Sequence, residues 1–222
     1  MHAIQASSSS NDQHLITILS PDTDVFISLC NFYDQLSPSP SMKVNNDIYS
    51  SVKRIGHNKA KALIGFYAFT GCDTTGSFRK RGKIKWLKNF NCCADEFTDA
   101  FVEMGESEYP SDNILCTLER FVCEQYCPKY KGANLSEARW YLFQKNSKGM
   151  DLLPLSRDAF NQHVQRANFQ SRIWKESGAP MQNVGDPVNH GWNRDEEGLY
   201  HAIGFENTIA PKDIIELVRC GF

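Results

Sequence analysis

The chain has 222 residues, of which 41% are hydrophobic and 23% charged, with a net charge of -2 and a pI near 6.3. These values describe a globular protein long enough to bury a sizeable core, and they exclude a general basic field, so any nucleic-acid contact has to come from a local patch. No apolar run approaches the roughly 18 residues a membrane span needs, no basic-then-apolar leader opens the sequence, and the eight cysteines are scattered; the expectation is an intracellular protein with reduced thiols and no membrane partner.

Met1 to Ala6 reads as the end of a helix, and Ser7 to Gln13 as a polar connection. Leu15, Ile16, Thr17, Ile18 and Leu19 are aliphatic or β-branched without polar alternation, which predicts a strand buried on both faces of a parallel sheet. Pro21 ends it, because proline cannot donate to the next rung of a ladder. Asp22 and Asp24 then follow the carboxyl end of that strand, the edge at which open α/β sheets bind ligands. If the backbone stays extended, side chains two apart point to the same side and both carboxylates can meet one hard cation. The alternative is a surface turn or helix N-cap, both of which aspartate favours. Val25, Phe26, Ile27 and Leu29 return to the core, and Asn31 to Ser41, rich in Ser, Pro and Asp, reads as a loop.

Asn46 is placed to cap a helix from about Asp47 to Phe66, with Ile48, Val52, Ile55, Ala62, Leu63 and Phe66 at helical spacing. Lys53, Arg54, Lys59 and Lys61 line its other side, as a solvated face or as the edge of a phosphate-facing surface. In Ala68 to Leu87, Gly71 and Gly76 bracket an aspartate and two threonines, so a sharp turn after an apolar element can carry Asp73. Arg79, Lys80, Arg81, Lys83 and Lys85 follow, interleaved with Gly82, Ile84 and Trp86. A glycine-containing turn that opens a basic helix can offer backbone N–H groups and cations to one phosphate; the alternative is an ordinary solvated surface.

From Ala94 the sequence reads as helical. Phe97, Phe101 and Met104 form one stripe, and Ser111 is placed to cap a helix carrying Leu115, Leu118, Val122 and Tyr126. Cys116, Cys123 and Cys127 share a face of that helix, as small buried hydrophobes or as a thiolate set lacking the tight pair usual for zinc. Asn134 and Glu137 have capping-box spacing before Ala138 to Phe143, and Ser156 is placed to cap a helix bearing Phe160, His163, Val164, Ala167 and Trp174. His163 beside Arg166 points either toward phosphate or into the core as a structural residue. A strand is expected near Leu199 to Phe205 and a final helix from Pro211 through Val218. No nucleophile, base and orienter stand out for a hydrolase triad.

SPDTDVF followed by AFTGCDTT resembles the last two acidic motifs of the flap-endonuclease, PIN-like group of five-prime nucleases. More closely, the chain is similar to uncharacterised invertebrate proteins related to mobile elements, with SPDTDV and HAFTGCDTT as their hallmark. The link to the nucleases covers about Leu15 to Leu87. The resemblance implies that Asp22, Asp24 and Asp73 bind divalent cations, Mg2+ or Mn2+. It further implies that Gly82, with Arg79, Lys80, Arg81, Lys83 and Lys85, lies where a helix-turn-helix grips DNA without reading sequence. The implied chemistry is two-metal hydrolysis of a phosphodiester, with carboxylates holding the ions about 4 Å apart, in a nuclear protein.

That group also uses aspartates from an N-terminal strand and a glutamate-rich motif opening a helix. Met1 to Ala6 looks like the remainder of that helix, and in the similar proteins the final helix runs on past Cys220 to Phe222. The expected architecture is therefore α/β, a PIN-like domain truncated at its N-terminus over residues 1–93, followed by a mainly helical extension over 94–222. The expected function is that of part of a metal-dependent nuclease, active or not. The alternative is a non-catalytic nucleic-acid-binding or assembly module of a mobile-element-derived protein.

Overall fold

The structure, a computed structural model, describes residues 20–35, 48–130, 132, 134–145 and 153–205. The expected strand Leu15 to Leu19, the Asn46 cap and the helix from Pro211 lie outside the described residues. Within them are eight α-helices and one two-stranded sheet, so the described protein is mainly helical both before and after residue 94. No parallel sheet occurs among the described residues.

The centre of the fold is a helix that, after its polar first turn, is apolar on every side. After α1 (Thr23–Asn31) and α2 (Ile48–Ile55), α3 (His57–Thr70) buries Ala60, Ala62, Leu63, Ile64, Phe66, Ala68 and Phe69 around its whole circumference. A helix with no polar face has to be surrounded. The others enclose it: α4 (Lys83–Cys92), α5 (Asp95–Glu103), α6 (Asp112–Tyr126), α7 (Leu135–Lys145) and α8 (Arg157–Lys175). Residues on both sides of position 93 share one apolar core. Its centre is aromatic, with Phe66 stacked on Phe90 at 4.4 Å and edge-on to Phe101 at 5.5 Å. Such pairs contribute about 0.5–1.5 kcal/mol each beyond area burial.

The single helix expected from Asp47 to Phe66 is two. Gly56 stands between α2 and α3 at φ +86°, donating to the Val52 carbonyl and accepting from Ala60; that left-handed conformation ends one helix and starts the next. Of the basic residues on the outer side, Lys59 donates to the Asn91 carbonyl and Lys61 pairs with Asp34 at 3.1 Å, whereas Lys53 and Arg54 are exposed. That face is therefore largely occupied by structural contacts.

The second half follows its caps. Ser111 accepts from the Ile114 amide and Ser156 from the Ala159 amide, each at 3.3 Å, and Phe97, Phe101, Met104, Leu118, Val122 and Phe160 are all buried. The capping box at α7 is only half made. Asn134 accepts from Ser136 at 2.8 Å, but the Glu137 carboxylate accepts the Tyr130 hydroxyl at 2.5 Å instead of folding back. Cys123 and Cys127 are buried free thiols and Cys116 is exposed.

After the 3-10 turn Glu176–Gly178, the chain forms β1 (Trp192–Arg194) and β2 (Tyr200–Ala202), paired antiparallel with Trp192 opposite Ala202. Arg166 of α8 holds this hairpin, its guanidinium donating to the carbonyls of Gly191 at 2.9 Å and Ile203 at 2.7 Å. No helix among the described residues is long and apolar enough to cross a membrane.

Candidate nucleic-acid interface

The segment from Gly71 to Lys85 leaves the end of α3 and returns as α4, and each step of it is held by a nameable contact. Gly71 has φ +111°, and a β-carbon there would lie 2.9 Å from the β-carbon of Ser77. Only glycine fits both the conformation and the space. Thr75, buried, donates its hydroxyl to the Ala68 carbonyl at 2.7 Å, satisfying one acceptor left over at the end of α3, and accepts from the Cys72 amide at 3.0 Å. Thr74 donates to the Gln170 side-chain carbonyl on α8 at 2.5 Å. Within GCDTT, then, glycine and the threonines build and anchor the turn, and Asp73 is carried on it exposed.

Phe78 plants the basic stretch in the core. Its ring lies 4.9 Å from Trp86, 4.9 Å from His163 and 5.0 Å from Phe69, and it is 2% exposed. A turn follows, closed by the Arg81 amide donating to the Phe78 carbonyl at 3.1 Å, with Lys80 at φ +55°. Gly82 is the cap of α4, and its carbonyl accepts from Lys85 at 2.9 Å and Trp86 at 3.3 Å. Trp86 and Phe90 face inward while Arg79, Lys80, Lys83, Ile84 and Lys85 are exposed.

Two of the cations are braced from behind by tyrosines. The Arg81 guanidinium sits 4.6 Å from the centroid of the Tyr126 ring, and the Lys83 ammonium 3.2 Å from that of Tyr67. The Tyr126 hydroxyl donates to the Arg79 carbonyl at 3.1 Å, and burial pushes its phenol above the ordinary value against the opposing pull of Arg81. These contacts brace the outward-facing turn against α3 and α6.

Asp22 and Asp24 are differently placed from the expectation that both extend beyond a strand. Asp22 is extended, at φ -85° and ψ 129°, with its amide donating to the Ser20 hydroxyl at 3.1 Å, but Thr23 and Asp24 already belong to α1. The helical backbone removes the alternation that would aim both carboxylates one way. The pair instead occupies the N-terminal end of a helix, where negative charge is favoured by the dipole. Among the described residues no three His, Cys, Asp or Glu side chains are grouped to hold a metal ion. Asp22, Asp24 and Asp73 accordingly do not form one ligand set, and they do not by themselves fit a two-ion centre.

His163 and Arg166 are structural. His163 is buried and its Nε2 meets the Phe69 carbonyl at 2.7 Å, while Arg166 is committed to the hairpin. Sequence reasoning did not connect Phe78, Thr75, Tyr67 and Tyr126 to the basic turn, which they position. Phe78 had a signal, being the one large apolar residue between Phe69 and Ile84; the tyrosines, distant in sequence, had none.

No protein-family model, no curated protein and no solved structure matches the chain.

Proposed function

We propose that this chain binds the phosphate backbone of nucleic acid, in the first instance DNA, through the basic turn Arg79 to Lys85. The observation that carries the reading is the construction of that turn: four exposed cations, Arg79, Lys80, Lys83 and Lys85, and the half-buried Arg81 are carried on a segment anchored by Phe78 and braced by Tyr67 and Tyr126. The first amides of α4 have no intrahelical acceptor and sit among these side chains, so charge and hydrogen-bond donors are offered together. Such a surface holds phosphates without reading base edges.

The test is binding of a fluorescent single-stranded DNA as a function of salt. Replacing Arg79, Lys80, Lys83 and Lys85 with alanine is expected to weaken binding at least tenfold and to flatten the dependence of affinity on salt, since each lost phosphate contact removes about 0.7 from the slope. An unchanged slope would overturn the reading.

A second reading adds catalysis. Asp73 is exposed on the turn that precedes the basic residues, in the order that the resemblance to PIN-like nucleases implies, with magnesium as the natural ion for oxygen ligands. The lack of a three-carboxylate group among the described residues favours the non-catalytic module instead. Magnesium-dependent cleavage that disappears in Asp73→Ala selects the nuclease; salt-dependent binding without cleavage selects the module.

A further inference from the structure

Beside the acidic turn lies a cleft of about 200 Å³ between α8 and the C-terminal hairpin, lined by Thr74, Phe169, Gln170, Ile173, Trp192 and Tyr200, with Arg166 and Pro187 completing it. We propose that this cleft is a nucleobase pocket, taking one unstacked base of a strand whose phosphates lie on the basic turn. The inference rests on the nucleic-acid reading above and adds to it a second, uncharged point of attachment.

Two observations support a base as the occupant. The first is size: the cleft is smaller than the 300 Å³ or more of pockets for larger organic ligands and suits one planar ring system. The second is the character of its lining, where Trp192, Tyr200 and Phe169 offer aromatic surface to a heteroaromatic face. The Arg166 guanidinium, 6.0 Å from the Trp192 ring centroid, fixes the hairpin that carries that ring. The walls are almost wholly apolar, as stacking on a base face requires, and the Thr74 hydroxyl at the rim is tied to the Gln170 side-chain carbonyl.

The placement is consistent with one continuous strand. Along α8, His163 touches Phe78, the anchor of the basic turn, and Gln170 touches Thr74, the edge of the cleft. Seven helical residues separate them, about 10 Å along the axis, a distance a short single strand spans while following the loop from Thr74 to Phe78. The edge of the cleft and the anchor of the basic turn are thus both seated on α8.

The experiment uses a single-stranded hexanucleotide with 2-aminopurine at an internal position, titrated with the intact chain. Emission of the bound 2-aminopurine is expected to fall through stacking with the wild-type chain. Trp192→Ala is expected to abolish that change and weaken binding about tenfold while keeping the salt slope. Tyr200→Ala, at a ring already 42% exposed, is expected to weaken the change and serves as the variant least able to disturb folding, checked by circular dichroism. Salt-dependent binding with the same 2-aminopurine emission in the wild type and both variants would overturn the pocket, leave the basic turn standing and assign the cleft to an apolar side chain of a protein partner. Absence of any binding by the wild type would overturn both.

Discussion

The buried Nε2 of His163 lies 2.7 Å from the carbonyl oxygen of Phe69, one residue before the end of α3 and two residues before the turn that carries Asp73. This contact latches α8 to the central helix at the root of the proposed interface. It also makes the latch sensitive to protonation. Phe69 and Phe78 lie against the ring, and Arg166 one turn along α8 adds positive charge nearby.

Burial holds the His163 imidazole down at about 4, with the Phe69 carbonyl pulling upward and Arg166 further downward. The folded value is depressed below the unfolded value near 6.5, so the unfolded state binds the proton first as pH falls. Stability is therefore complete above about pH 6.5 and declines toward pH 4, by up to about 3 kcal/mol from this group. Urea unfolding at pH 7.5 and pH 5 is expected to show the loss, and His163→Gln to reduce it. His190, depressed in the same direction by burial, leaves a residual slope in the variant. Equal pH dependence in wild type and variant would refute the assignment.

Gly71→Ala is expected to destabilise the chain by about 1–3 kcal/mol, because alanine is strained at φ +111° and its β-carbon meets Ser77 at 2.9 Å. Thermal unfolding measures the cost. Gly76, where a β-carbon meets nothing within 4 Å, is the control, and Gly76→Ala should cost far less.

Thr75 separates hydroxyl from shape. Thr75→Val keeps the volume but removes the donor to the buried Ala68 carbonyl, while the Cys72 amide keeps its bond to the Thr75 carbonyl at 3.2 Å, at a cost of about 1–3 kcal/mol. Thr75→Ser restores both bonds and should recover most of that stability. A valine variant as stable as the serine variant would show that the hydroxyl does not hold the turn.

Phe78→Ala tests whether the basic turn depends on its anchor. Emptying a site among Phe69, Trp86 and His163 is expected to cost about 3–5 kcal/mol. Phe78→Leu, with a smaller loss of volume, should stay folded yet bind DNA more weakly with an unchanged salt slope, since the cations remain and only their arrangement loosens. Anisotropy titration distinguishes this from loss of charge.

In the helical second half, local chemistry and final structure agree. Ser111 and Ser156 are caps because a short hydroxyl side chain before an apolar period satisfies an amide two or three residues away, and nothing distant is needed. The Phe97, Phe101 and Met104 stripe is buried for the same reason of period. The basic character of Arg79 to Lys85 was equally legible, since five cations with two glycine-type turns nearby exclude a core position. Asp22 and Asp24 show the limit of such reading. An aspartate after proline fits a strand end as well as a helix start, and Asp24 in a first helical turn satisfies the dipole without any metal.

What depended on tertiary structure is whatever joins residues far apart in the chain. Glu137 left its capping box because Tyr130 supplied a better-placed hydroxyl donor, and Arg166 turned from phosphate to two hairpin carbonyls because burial beside Gly191 leaves those acceptors as its partners. The cleft draws on Thr74, Gln170 and Trp192, and no period or motif relates them. Caps and stripes are set by hydrogen bonds and spacings within a turn or two of helix, so the sequence alone determined them. The bracing of the basic turn and the cleft beside it exist only once α3 and α8 have packed, because long-range packing decides which side chains meet.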